Sequence, residues 1–247
     1  MTTTARRYVL LPAAVAAGLL ATGCSDLNDG DMKTTTADAM VKSAVTSVVV
    51  KDARRGSIDV KTGSGPGVTI HRTVHYRDDA APKPTQHVSG RVLTFSNGCD
   101  NCYIDYELQV PASAKVELSN SSGQVTVRGV AAADISTSSG TVTAEQIAGP
   151  VKVETSSGSI TASALSGASA DVRTDSGTTR LTFAKAPTSV NTDTGSGSTT
   201  LKVPGGPYKV DVTTTSGKRV TNIPTDPAAK STLTSKATSG DVEISAA

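Results

Sequence analysis

Three sets of side chains in this sequence have the type and spacing to do chemistry: a close cysteine pair, a histidine pair and a scatter of serines and acids. Cys99 and Cys102 stand in Cys-Asp-Asn-Cys, which suits a disulfide, a thiol redox centre or half of a zinc site. A redox pair wants a strand running into a helix, and zinc wants two further ligands. Neither context is present, and there is no second cysteine pair. His71 and His75 are four apart, which would chelate a metal from a helix. Val68-Thr-Ile-His-Arg-Thr-Val-His-Tyr76 reads instead as a strand, which holds them about 13 Å apart on one face. With His87 they are expected to face solvent, with no metal bound. Serine is so abundant that Ser/His/Asp combinations arise by chance, and no Gly-x-Ser-x-Gly elbow sits between a strand and a helix. Glu117, Asp134, Glu154 and Asp171 are expected at comparable outward places, but Lys152 and Arg173 intersperse them. That is the pattern of solvated charge, not of the paired carboxylates a glycoside hydrolase needs. No catalytic residue, cofactor or metal ligand is assigned.

The elements that must position these groups are repeats. Val116-Glu-Leu-Ser-Asn-Ser-Ser-Gly123-Gln-Val-Thr-Val127 is followed by Asp134-Ile-Ser-Thr-Ser-Ser-Gly140-Thr-Val-Thr-Ala144 and Val151-Lys-Val-Glu-Thr-Ser-Ser-Gly158-Ser-Ile-Thr-Ala162. Looser copies carry Gly177, Gly197, Gly217 and Gly240, at spacings of 17, 18, 19, 20, 20 and 23 residues. Each unit alternates apolar and polar residues, breaks at Ser-Gly and alternates again, which predicts two short strands around a tight corner. One such unit cannot bury its apolar row alone, so the units must stack. The expected fold is all-β: a β-solenoid, β-helix-like, of 17–20-residue coils with Ser-Gly turns. Handedness and oligomeric state are not legible.

Arg6 and Arg7 precede a mostly apolar run, Tyr8 to Leu20, with the proportions of a signal peptide. Ala21-Thr22-Gly23 then stands directly before Cys24. This resembles the lipobox of bacterial lipoproteins, though Leu20 lies one place earlier than the pattern prefers. The resemblance implies cleavage after Gly23 and acylation of Cys24, hence an extracytoplasmic protein anchored to the cell membrane. Acylating Cys24 leaves Cys99 and Cys102 as an even pair outside the cytosol, for which a local disulfide is expected. From Cys24 onward, removal of Arg6 and Arg7 leaves 22 basic and 22 acidic residues. A neutral chain without a basic run gives nucleic-acid binding no support. No Trp and 3% aromatics give carbohydrate stacking little to work with.

The chain is expected to divide into a signal peptide at 1–23, a lipidated cysteine and flexible tether at 24–44, N-terminal strands and cap at 45–111, and the Ser-Gly part of the same β-solenoid domain at 112–247. Cys102-Tyr-Ile-Asp-Tyr-Glu-Leu-Gln-Val-Pro111, running into serial Ser-Gly units, resembles the toast-rack family of adhesin-like bacterial surface proteins. That resemblance spans Val45 to the C-terminus and implies a β-solenoid-like stack on a lipoprotein, in some members beside envelope-stress genes. Many members place Asp after the repeat glycine. Here only Asp241 does, the other places holding Gln124, Thr141, Ser159, Thr178, Ser198 and Lys218, so a ladder of calcium turns is not expected. The expected function is a non-enzymatic adhesin-like or interaction module that meets a surface protein, glycan or cell-wall partner. An envelope-stress accessory is the alternative, and a polysaccharide-active enzyme the third reading. Past Gly197 the copies loosen, and the last coil is expected to be closed by an earlier segment or used for association.

Overall fold

The computed structural model describes residues 32–51 and 53–247. Among them all regular structure is strand, because apolar and polar residues alternate with period two almost throughout. In 151–157, Val151, Val153 and Thr155 are buried while Lys152 and Ser156 are exposed. The N-terminal strands are β1 (Lys33–Thr36), β2 (Ala39–Val41), β3 (Ser47–Val50), β4 (Ile58–Thr62), β5 (Val68–Tyr76), β6 (Thr85–Ser89), β7 (Val92–Ser96) and β8 (Cys102–Val110). The repeats form coils of two strands each. These are β9 (Lys115–Ser122) with β10 (Val125–Arg128), β11 (Ala132–Ser139) with β12 (Val142–Glu145), and β13 (Val151–Ser157) with β14 (Ile160–Leu165). Next come β15 (Ser169–Ser176) with β16 (Thr179–Phe183), and β17 (Ser189–Ser196) with β18 (Thr199–Val203). The last are β19 (Lys209–Ser216) with β20 (Arg219–Asn222), and β21 (Thr232–Ser239) with β22 (Val242–Ala246).

First strands of the coils make one sheet and second strands the other, and within the coils every pairing is parallel and in register, save for a one-residue shift between β14 and β16 after Ala162. Ten strands in the first sheet give a stack about 45 Å long at the usual strand spacing. Leu118, Ile135, Val153 and Val172 form one inward file, and Val125, Val142 and Ile160 another. All are buried in a single continuous core that the N-terminal strands share. Towards the far end the first file turns polar, as Thr192 and then Ser235. The Thr192 hydroxyl donates to Ser235 Oγ at 2.7 Å, which satisfies it in a fully buried place.

Between the two strands of each coil sits the Ser-Gly corner, and the glycines stand in one file. A side chain built on Gly158 would meet the carbonyl oxygen of Gly140 at 1.9 Å, and Gly177 would meet that of Gly158 at 1.9 Å. Gly158 also has φ near +139°, a region that L side chains rarely adopt. The corner has a second fixture, three residues before the glycine. Thr137, Thr155 and Thr174 point inward and donate from Oγ1 to the carbonyls of Ser139, Ser157 and Ser176 at 3.1–3.2 Å. Each threonine thus ties the corner back onto its own strand, adding a side-chain bond to carbonyls of which Ser157 and Ser176 also accept from Gly140 and Gly158 of the neighbouring coil.

The chain does not climb the stack in order. β21/β22, last in sequence, lies between β17/β18 and β19/β20, so the final coil is covered by an earlier one. That outermost coil is blunted. Arg219 and Thr221 take the inward places aligned with buried Val242 and Ile244, and both are exposed. A polar end coil is how a solenoid avoids a sticky terminus. The opposite end is also out of order: β3/β4 pairs with β9/β10 on one side and β7/β8 on the other. The coil at 47–62 is therefore an interior rung, and the cap is built by antiparallel β5 and β6.

One boundary moves. The tether expected up to residue 44 contains β1 and β2, which pair antiparallel with β5. Ala39 and Val41 alternate with exposed Met40 and bury against the cap, apolar residues enough to cover its edge. The expected signal peptide, Cys24 and the first tether residues lie outside the described residues.

Candidate functional site

The regular faces carry paired charge. Register places Glu117, Asp134, Lys152, Asp171 and Asn191 in one outward file, and Ser119, Ser136, Glu154, Arg173 and Asp193 in the next. Glu154 is therefore not in line with Glu117, Asp134 and Asp171, which corrects the expected alignment: it lies two residues beyond Lys152 and so one same-face position further along its strand. Lys51 sits 3.3 Å from Glu117, Lys152 is 3.4 Å from Glu154 and 3.9 Å from Asp134, and Arg173 is 3.5 Å from Asp171. These carboxylates are about half exposed, each beside a cation, with no enclosure to hold a proton on one of a pair. The faces are mixed-charge surfaces.

The N-terminal end of the Ser-Gly edge differs. Every Ser-Gly coil puts Ser at the place before its glycine, from Ser122 to Ser239. The β3/β4 coil continues the same edge with Gly56, whose carbonyl a side chain on Gly123 would strike at 2.5 Å. Here the two residues before the glycine are Arg54 and Arg55. Arg54 has φ near +60°, and its backbone carbonyl accepts from the Ser121 and Ser122 amides at 3.0 and 2.8 Å. The next corner along, between β7 and β8, is closed by a disulfide joining Cys99 and Cys102, with Cα atoms 5.9 Å apart. This bridge holds the Asp100-Asn101 bulge, whose Asp100 carbonyl accepts from Arg54 Nη1.

A cleft of about 900 Å³ opens between these corners, lined by Arg54, Arg55, Arg77, Asn101 and Tyr103 among others. The Arg55 guanidinium lies over the Tyr103 ring, 5.4 Å from its centroid. His75 stacks on the same ring at 4.4 Å. Its Nε2 is 2.8 Å from Asp105 Oδ2, while the Ser57 amide and hydroxyl both donate to Asp105 Oδ1 at 2.6 and 2.8 Å. Serine, histidine and aspartate meet, but not as a nucleophile with its base. Both Ser57 and His75 are directed at the carboxylate, so the serine proton has no imidazole to go to. His71 instead contacts Asp38, and His87 is exposed on β6. His87 is the solvent-facing histidine, whereas His71 and His75 are half-buried and held by separate acids. Among the described residues, no three His, Cys, Asp or Glu side chains gather at one point.

Behind the cleft the cap holds a buried cation. Arg72 is 3% exposed on the inward face of β5. Its Nε donates to the Ala37 carbonyl at 3.0 Å and its Nη2 to Gln86 Oε1 at 3.0 Å, while Nη1 is buried without a partner. Desolvation lowers its pKa, and the neighbouring Tyr106 and Asp38 oppose that shift. Arg72 ties β5, β6 and the β1–β2 turn together. The Arg54-Arg55 corner and the threonine contacts were not singled out from sequence. Their signal is Gly56-Ser-Ile-Asp-Val60, a repeat half in phase with the later ones, and Thr or Asn at the third place before most repeat glycines.

Geometry thus defines a class: an open two-sheet parallel β stack, blunt at both ends, with mixed-charge faces and one arginine-bearing corner. The chain belongs to the Toastrack DUF4097 family, whose model matches residues 24–247. A solved structure of a putative adhesin from Bacteroides fragilis is 10% identical, with 87% of this chain and 98% of that chain covered and a TM-score of 0.53, and shares the fold. A putative cell adhesion protein from Clostridium sporogenes is 11% identical, covering 87% and 100% of the two chains at a TM-score of 0.40. A putative adhesin from Parabacteroides merdae is 13% identical, covering 87% and 97% at 0.42. A comparison with curated proteins finds no match.

Proposed function

We propose that this protein is an exported lipoprotein, held to the cell membrane through acylated Cys24, and that its stack is a non-enzymatic adhesin-like module displayed outside the cytoplasm. The observation that carries the reading is the pair of outward files. Acids, bases and hydroxyls alternate there over the coils, exposed and engaged with each other, as on a contact surface and unlike an active site. Such a surface offers a protein, glycan or wall partner many weak polar contacts at a fixed spacing, and avidity then does what no single pocket does.

Two measurements test it. Intact mass of the protein recovered from membranes should show an N-terminal Cys24 carrying acyl chains, and Cys24→Ser should release the protein to the medium. Cross-linking from photoreactive residues at Asp171 and Arg173 on intact cells should capture a defined protein, glycan or wall fragment. Recovery of the chain alone would remove the adhesin reading, whatever the fate of Cys24.

A further inference from the structure

We infer that the cleft between the Arg54-Arg55 corner and the disulfide-closed corner binds the phosphate of an anionic phospholipid headgroup. Repetition makes the departure informative. The corner that carries Ser before glycine along the whole edge carries two arginines at this rung alone among the described coils with such a glycine. Packing does not ask for them: Arg55 is exposed, and the places it replaces are filled elsewhere by small hydroxyls. Arg77 joins them from the end of β5, so three guanidinium groups from two distant stretches of chain line one cleft.

Two acids near the cleft are engaged: Asp105 is held by Ser57 and His75, and Asp79 lies 3.3 Å from the Lys33 ammonium. Asp100 also lines the cleft, and its backbone carbonyl accepts from Arg54, so three guanidinium groups stand against one further carboxylate on the wall. Arg55 and Arg77 enter no ion pair with a described acid. Arg55 rests over Tyr103, and Arg77 donates from Nε to the Met32 sulfur. A guanidinium fork held on an aromatic plane is pre-set to grip phosphate oxygens in pairs, and Asn101 and Ser121 supply further polar atoms on the cleft wall.

Position selects the source of the phosphate. Met32 lines the cleft and is eight residues from Cys24, a stretch that spans at most about 29 Å when fully extended. If Cys24 is in the bilayer, the cleft stays within reach of the headgroups. The inference rests on the anchored reading for this point alone.

The test uses residues 24–247 with Cys24→Ser, so no acyl chain contributes. Cosedimentation is measured with vesicles of 30% phosphatidylglycerol in phosphatidylcholine, with pure phosphatidylcholine vesicles, and by titration with inorganic phosphate. Binding is expected to the phosphatidylglycerol vesicles and not to phosphatidylcholine, falling as salt rises. R55A/R77A should weaken it about 30-fold, at about fivefold per arginine near a charged membrane, with an unchanged far-ultraviolet spectrum. R55K/R77K should fall between the two, because lysine keeps the charge and loses the fork. Three results would overturn the inference: no binding to phosphatidylglycerol, equal binding by R55A/R77A, or a lysine pair as good as the native one, which would reduce the cleft to diffuse charge. Binding of inorganic phosphate with no binding to the phosphatidylglycerol vesicles would also overturn it, assigning the cleft to a free anion. None of these outcomes bears on acylation of Cys24, which its own mass measurement decides.

Discussion

Gly158→Ala is the sharpest test of how the coils are held. The added Cβ would lie 1.9 Å from the Gly140 carbonyl oxygen and 2.8 Å from its carbon, so backbone must move by more than an ångström. That movement works against the bonds on both sides, Gly140 N–H to Ser157 O at 3.1 Å and Gly158 N–H to Ser176 O at 2.9 Å. Forcing alanine into φ near +139° costs about 1–3 kcal/mol. Losing two backbone bonds between half-buried glycines and the next coil adds about 1–1.5 kcal/mol each. The expected destabilisation is about 3–6 kcal/mol, or roughly 10–20 °C in Tm for a domain of this size. Two controls separate the causes. Gly65 has φ near +94° with nothing within 4 Å, so Gly65→Ala should cost about 1–2 kcal/mol from conformation alone. Gly205→Ala, also in open space, should cost under about 1 kcal/mol. Urea unfolding followed by circular dichroism reads all three. If Gly158→Ala is no worse than Gly65→Ala, close approach between coils is not what selects glycine, and the account of the edge fails.

Thr155→Val keeps the shape of the side chain but removes one of the two bonds to the Ser157 carbonyl, the other coming from Gly140 N–H, and should cost about 1 kcal/mol by the same unfolding assay. Replacing Cys99 and Cys102 by serine should cost about 2 kcal/mol or less, since the ring is short, with hydrogen exchange rising locally around Asp100–Tyr103 and not through the stack. Tyr208 donates to the Pro204 carbonyl at 2.8 Å, and burial raises its pKa. A raised acid stabilises the fold below its unfolded pKa of about 10 and loses that contribution as pH climbs through the folded value. Stability should therefore fall more steeply above pH ~10 in the native chain than in Tyr208→Phe, compared by unfolding at matched pH.

What was legible in the sequence is whatever repeats. Val151, Val153 and Thr155 against Lys152 and Glu154 announce a half-buried strand, and Ser-Gly in phase announces a corner, because both properties are local. Register was harder. Glu117, Asp134 and Asp171 stand six residues before their glycines but Glu154 only four before Gly158, so counting back from the corner is what shows Glu154 to lie one same-face place along. Order in space was hidden altogether. Arg219 breaks the Val, Ile or Thr that other repeats hold two places after the glycine, which marks its coil as unlike the rest but not where in the stack it lies, since that depends on which coil comes next. Ala39 and Val41 were read as tether because two apolar residues among Thr, Asp and Lys carry no periodic signal. They become strand only because β5 offers them an edge. The Arg54-Arg55 corner was legible in principle, but needed Gly56 to be recognised as the first glycine of the edge.

The inverted order at the far end makes a prediction that a simple ladder does not. In a ladder, removing the last sixteen residues would strip one coil and leave the one before it intact. Here β21/β22 is the rung on which β19/β20 rests. Both strands of β19/β20 pair with it and with no other strand, and Gly217 abuts Gly240. Deleting 232–247 should therefore unfasten two coils, and hydrogen exchange across 209–222 should become fast while 115–183 stays protected. Val203 and Leu201 would then meet solvent at the new end, where Arg219 and Thr221 no longer stand outside them, so the truncated chain should also self-associate at high concentration. Retained protection at 209–222 would mean that β19/β20 can dock directly on β17/β18, and the placement of the final coil would then be a preference among alternatives, not a requirement of the stack.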